Sequence, residues 1–130
     1  MIFTPTPIFH ETCNMKPETY HEKLKKIMDE YVHLVYGFTR QFPKEELYGV
    51  TSQLRRSALS VILNYVEGFA RNREKVHKNF LEISFGSLKE SKYLIEFSLK
   101  EGYLSKEAHD KAILAADEIG AMLWGILRKM

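Results

Sequence analysis

The chain has one cysteine, four prolines and no long apolar run, and its charges nearly cancel. A lone Cys13 leaves no disulfide framework and no cysteine-rich zinc site, which fits a reducing compartment. No segment approaches the roughly 18 unbroken apolar residues of a membrane helix, so no membrane partner is expected. The opening stretch carries neither a basic leader nor an apolar block of signal-peptide length, and a cytoplasmic location is the expectation. With 19 basic against 17 acidic residues, a net charge of +2 permits a nucleic-acid partner without demanding one. No β-rich alternating segment appears anywhere, so no sheet is expected.

What is present is helical spacing. At 130 residues and 45% hydrophobic content the chain suits one domain with a core of its own. Residues 1–16 read as an extended N-terminal arm, with Pro5 and Pro7 among Ile2, Phe3, Ile8 and Phe9. That arm is either loose or docked on a neighbouring subunit. Residues 17–130 read as the bundle. A first helix is predicted from Pro17 to Gln41, with proline at its first position and Leu24, Ile27, Met28, Tyr31, Leu34, Val35 and Phe38 inward. Phe42-Pro43 ends it, and "KEELYG" reads as a helical turn.

The second helix is predicted over 49–70 and the third over 74–100, closed by Gly102. The fourth is capped by Ser105, with a seam at Ala108, Ala112, Ala115, Ile119, Met122 and Ile126. Short connections make sequential helices antiparallel. The predicted fold is all-α, an antiparallel up-down-up-down four-helix bundle with an extended N-terminal arm.

The second helix carries more than a core needs. Val50, Leu54, Ala58, Val61, Tyr65 and Phe69 form one apolar stripe, while Leu59, Leu63, Val66 and Ala70 form a second on nearly the opposite side. One stripe suffices for a bundle helix, so the second marks an oligomer interface. On the third helix, Ser84, Ser87, Ser91 and Ser98 share a face with Phe80, Ile83, Leu94 and Ile95, with Gly86 nearby, as close helix packing requires. A structural polar network is expected among Arg55, Arg56, Asn64, Glu67 and Ser87. No catalytic residue is assigned, because no nucleophile or base accompanies these charges.

Glu-x-x-His, the spacing of di-metal bundles, occurs at Glu18–His21, Glu30–His33 and Glu74–His77. Two of the three share the first helix and the third opens a helix, so no metal or other cofactor is expected. P-loop, GxSxG, CxxC and Rossmann motifs do not occur. Arg71, Arg73, Lys75 and Lys78 cluster around the turn between the second and third helices, at a helix start that favours phosphate. They are the candidate nucleic-acid-binding residues. Phe69, Phe80 and Trp124 are assigned to packing, which leaves no aromatic platform for stacked bases.

The run "FPKEELYGVTSQLRRSALSVILNYVEGFARN", with "FLEISFGSLKES", "GYLS" and "EIGAMLWGILRKM", resembles the four-helix-bundle proteins encoded in bacterial 23S rRNA intervening sequences. That family is related to the accessory variability proteins of diversity-generating retroelements. The matching residues include Phe42-Pro43, Ser52 to Arg56, Asn64, Glu67-Gly68 and Gly86 to Leu88, within a resemblance covering about Tyr20 to Met130. The resemblance implies a non-catalytic homo-oligomer, with rings of five known. For the retroelement relatives it implies structured RNA or DNA and a reverse transcriptase as partners. The chain departs from the family in two ways. It has Val61-Ile62-Leu63-Asn64 where many relatives read Ile-Pro-Ser-Asn, so the kink a proline implies is not carried over. It is also less basic than the retroelement accessories. The alternative function is a purely protein-binding scaffold.

Overall fold

The computed structural model describes residues 16–130, so Cys13 and most of the N-terminal arm lie outside the described residues. Four helices follow in order: α1 (Tyr20–Thr39), α2 (Val50–Phe69), α3 (Glu74–Lys100) and α4 (Lys106–Leu127). A 3-10 turn at Lys44–Glu46 separates α1 from α2. No strand occurs among the described residues.

Local chemistry sets each boundary. Thr19 and Glu22 form a reciprocal capping box, each side chain accepting from the other's backbone N–H at 3.0 Å. This starts α1 at Tyr20 rather than at Pro17, because the cap satisfies the first free N–H groups at Thr19. The N-cap of α2 is Gly49, which has no side chain to offer. Glu46 supplies the missing acceptor: its Oε1 takes the Val50 N–H at 3.1 Å, while Oε2 accepts from the Tyr103 hydroxyl at 3.0 Å. A Cβ on Gly49 would lie 2.6 Å from that Oε1, so glycine is what admits the carboxylate. α3 ends as expected at Gly102, whose φ of +79° lets Tyr103 N–H return to the Ser98 carbonyl at 2.9 Å. Ser105 caps α4 by accepting from Ala108 N–H.

Cross-helix bonds give the topology. His21 meets Tyr65 and Thr39 meets Arg55, so α1 and α2 run antiparallel. Ser60 with Ser87, and Val61 with Ser84, do the same for α2 and α3. Lys92 with Asp117, and Glu96 with His109, do so for α3 and α4. Tyr20 donates to the Met122 carbonyl at 2.8 Å and closes α1 against α4. The result is an up-down-up-down ring of four.

The core fills the space between them. Leu24, Met28, Tyr31 and Val35 come from α1, and Leu54, Ala58, Val61 and Tyr65 from α2. Leu81, Leu88 and Ile95 of α3 face Ala112, Ala116, Ile119 and Leu123 of α4. Three serines seven residues apart, Ser84, Ser91 and Ser98, are fully buried. Each bonds a backbone carbonyl, at Val61, Leu88 and Leu94 respectively, so their hydroxyls stay satisfied while their size lets helices close in.

The structure corrects three sequence expectations about packing. The α4 stripe keeps Ala112 and Ile119 but shifts by one residue elsewhere: Ala116, Leu123 and Leu127 are buried, where Ala115, Met122 and Ile126 are only partly covered. Ile83 is exposed, not part of the core face of α3. Gly86 faces solvent and allows no close approach, since a Cβ there would meet nothing within 4 Å. Gly68 is the close approach instead: its Cβ would sit 3.1 Å from both His77 Cδ2 and Phe80 Cβ.

Candidate oligomer and nucleic-acid surfaces

α2 runs unbroken from Val50 to Phe69 through Val61-Ile62-Leu63-Asn64, as the missing proline suggests. Its first apolar stripe is buried at Leu54, Ala58, Val61 and Tyr65. Its second stripe is open: Leu59, Leu63, Val66 and Ala70 all face solvent, and Leu63 is 57% exposed. Ile83 of α3 is exposed as well. The chain therefore presents, on α2 and α3, large aliphatic side chains that its own core does not use.

Beside this stripe runs a polar seam between α2 and α3. Asn64 Nδ2 donates to the Ser60 carbonyl at 2.9 Å and to Ser60 Oγ at 2.8 Å, and Ser60 Oγ shares a hydrogen with Ser87 Oγ at 2.8 Å. Asn64 and Ser87 are thus brought into one network through Ser60. Arg56 lines the adjoining surface cleft with Gln53, Ser57 and Glu90. Arg55 belongs elsewhere. Its Nε donates to Thr39 Oγ1 at 2.8 Å and its guanidinium lies 4.8 Å over the Tyr36 ring, tying α2 to the end of α1. Glu67 is at the surface and pairs with Arg71 one turn on. Of the expected network of five, only Asn64 and Ser87 are joined: Arg55 turns to Thr39, Glu67 to Arg71, and Arg56 only lines the cleft.

The basic turn is held by aromatic packing. Phe69 lies between His21 and His77, with ring centroids 4.3 Å and 4.4 Å away, and touches Tyr65 at 4.8 Å. Phe69 itself is partly open, contrary to its place in the predicted core stripe, because it closes the end of the bundle. Arg71 stacks over Phe80 at 5.2 Å while pairing with Glu67. Arg73 is the exposed N-cap of α3 and makes no side-chain cap bond, so the first-turn N–H groups keep their positive end. Lys75 and Lys78 border a shallow depression with Asn79 and Glu82. The four cations do share one end of α3, but Arg71 is partly committed to Glu67.

The histidines of the Glu-x-x-His spacings go to separate tasks. His21 bonds the Tyr65 hydroxyl at 2.8 Å, His33 lies 3.5 Å from Asp29, and His77 packs on Phe69. Among the described residues no three His, Cys, Asp or Glu side chains are placed to hold a metal ion. No helix among them is long and apolar enough to cross a membrane.

Residues 21–125 match the family described as 23S rRNA-intervening sequence protein. The chain belongs to that family. Its fold is similar to a solved protein of unknown function from the S23 ribosomal protein family of Bacteroides thetaiotaomicron VPI-5482. The two share 19% identity with a TM-score of 0.77, over 85% of this chain and 99% of that one. At that identity the likeness speaks for the fold alone. No curated protein matches the chain.

For this member of the 23S rRNA-intervening sequence proteins, sequence reasoning overlooked two features. Trp124, assigned to packing, is 57% exposed beside Phe85. Its neighbours Gly120 and Ala121, too small to cover an indole, were the available signal. His109 is buried between Glu96, at 2.5 Å from Nε2, and Asp110, at 2.8 Å from Nδ1. Burial of the ring opposes its charge, but the bonds to Glu96 and Asp110 prevail and raise its pKa above 6.5.

Proposed function

We propose that the chain is a non-catalytic homo-oligomer, with five subunits expected from its family, that holds structured RNA or duplex on its basic turns. The observation that carries this reading is the open second stripe of α2, with Leu63 at its centre. Several large aliphatic side chains exposed along one helix mark an association surface. A ring of five is built from heterologous contacts, so the stripe would seat on a different surface of the neighbouring subunit. Arg71 and Arg73 follow directly after the stripe, so assembly through α2 would gather several copies of the basic turn and add their fields.

Four cations gathered at one helix start favour phosphate contacts and shape over sequence readout. Affinity should then fall steeply with salt as counterions are released. The test is a salt titration of RNA binding by the wild type and an Arg71/Arg73/Lys75→Glu triple variant. The expected result is salt-sensitive binding that the variant loses. Equal binding by both, or none by either at low salt, would leave the protein-binding scaffold as the function.

A further inference from the structure

The face shared by α3 and α4 interleaves aromatic rings with cations. On α3, Lys78, Phe85 and Lys92 are seven residues apart and so lie on one face, with Lys75 and Lys89 beside them. Lys89 Nζ lies 5.2 Å from the centre of the Phe85 ring. Across the helix boundary, Phe85 and Trp124 stand 6.3 Å apart and tilted by 38°, bordering a cleft of about 240 Å³. Ala116 and Gly120 form its small-residue lining, and a Cβ on Gly120 would already touch Leu88. More than half of Trp124 remains open to solvent.

Charge argues for what covers the indole. Lys92 is answered by Asp117 at 2.6 Å, and Glu82 lies along the same side of α3. Among the described residues Lys75, Lys78 and Lys89 make no ion pair, and Arg128 caps the end of α4 one turn beyond Trp124. A surface aromatic ring with the unpaired Lys89 bordering the same cleft, and with Lys78 and Lys75 further along α3, suits a flexible polyanion whose flat bases are unpaired. It suits an aliphatic protein surface less, because docking one would desolvate those cations without compensation.

We propose that this face binds a single-stranded nucleic-acid segment, with an unpaired base stacked on Trp124 and its phosphates tracked by Lys89 and by Lys78 and Lys75 towards the basic turn. The site rests on the nucleic-acid reading and deepens it: the turns hold structured regions, and the α3–α4 face holds an adjoining unpaired strand.

Trp124 is the one tryptophan in the chain, so its emission reports the site directly. The experiment titrates the full chain with a short oligouridylate and with a duplex of equal length, following tryptophan fluorescence and binding anisotropy. Oligouridylate should quench the emission. Trp124→Ala should weaken oligouridylate binding roughly tenfold or more while leaving duplex affinity and the light-scattering mass unchanged. Trp124→Phe, which keeps a ring, should retain most of the binding. Binding of duplex with no single-strand quenching overturns the stacking site and leaves the basic-turn reading standing. Loss of assembly in Trp124→Ala and Trp124→Phe alike overturns it in favour of a second copy seated on the indole. No binding of either nucleic acid overturns both readings.

Discussion

The Tyr31 hydroxyl lies 2.7 Å from Ser91 Oγ in the middle of the core, joining α1 to α3 across the diagonal of the bundle. Ser91 Oγ donates to the Leu88 carbonyl at 2.9 Å, so it accepts from Tyr31. Burial pushes the Tyr31 phenol up to about 12, which keeps it a neutral donor at any physiological pH. The two partners are unequal. Tyr31→Phe removes one net hydrogen bond and leaves Ser91 satisfied, at a cost of about 1 kcal/mol. Ser91→Ala strands a buried hydroxyl and costs about 1–3 kcal/mol. Chemical denaturation of the two variants should rank Ser91→Ala as the less stable; the reverse order would contradict the diagonal bond.

Two glycines test the packing of α2 on α3 in opposite directions. Alanine gains up to about 1 kcal/mol over glycine inside a helix. Gly86→Ala meets nothing and should stabilise by up to that amount. Gly68→Ala would press on Phe80 Cβ and the His77 carbonyl, which cannot swing away, and overpacking costs about 1–3 kcal/mol. Melting temperatures should therefore rise for Gly86→Ala and fall for Gly68→Ala. Equal shifts would mean the helices are not in close contact at Gly68.

His109 links stability to pH. Its pKa is raised in the folded chain, so its contribution is fully present below the unfolded value of about 6.5 and is lost as pH rises through the folded value. The partners facing it are Glu96 from α3 and Asp110 from its own helix, with Lys106 opposing. The stability gap between wild type and His109→Gln should be widest near pH 5–6, where imidazolium and carboxylates coexist, and should narrow towards pH 8–9. A gap that widens with rising pH would show that His109 is held neutral.

The helices were legible because their signals are local. Ser105, Gly102 and the Phe42-Pro43 break carry their own chemistry, and α3 runs over the predicted span. The open stripe of α2 was legible because two full stripes on one helix cannot both enter one core. The α4 register was not, since Ala115, Ala116, Met122 and Leu123 give apolar residues on adjacent faces and period alone does not choose between them. Nor were Tyr31–Ser91 and Glu96–His109, which depend on the axial alignment of helices rather than on spacing within one. The exposure of Trp124 was hidden for a related reason: a large aromatic on a helix reads as core until its neighbours are known.

Assembly through α2 is the central claim about this chain. Light scattering at micromolar concentration measures it most directly, on the wild type and on Leu63→Glu. Leu63 is more than half exposed in the single chain, so this change should alter its folding stability by less than about 0.5 kcal/mol while burying an unpaired charge in any contact. The expected outcome is a wild-type mass near five times 15.2 kDa and a folded, helical Leu63→Glu monomer. A wild type that scatters as a single 15.2 kDa chain, or a Leu63→Glu variant that assembles as before, would contradict it.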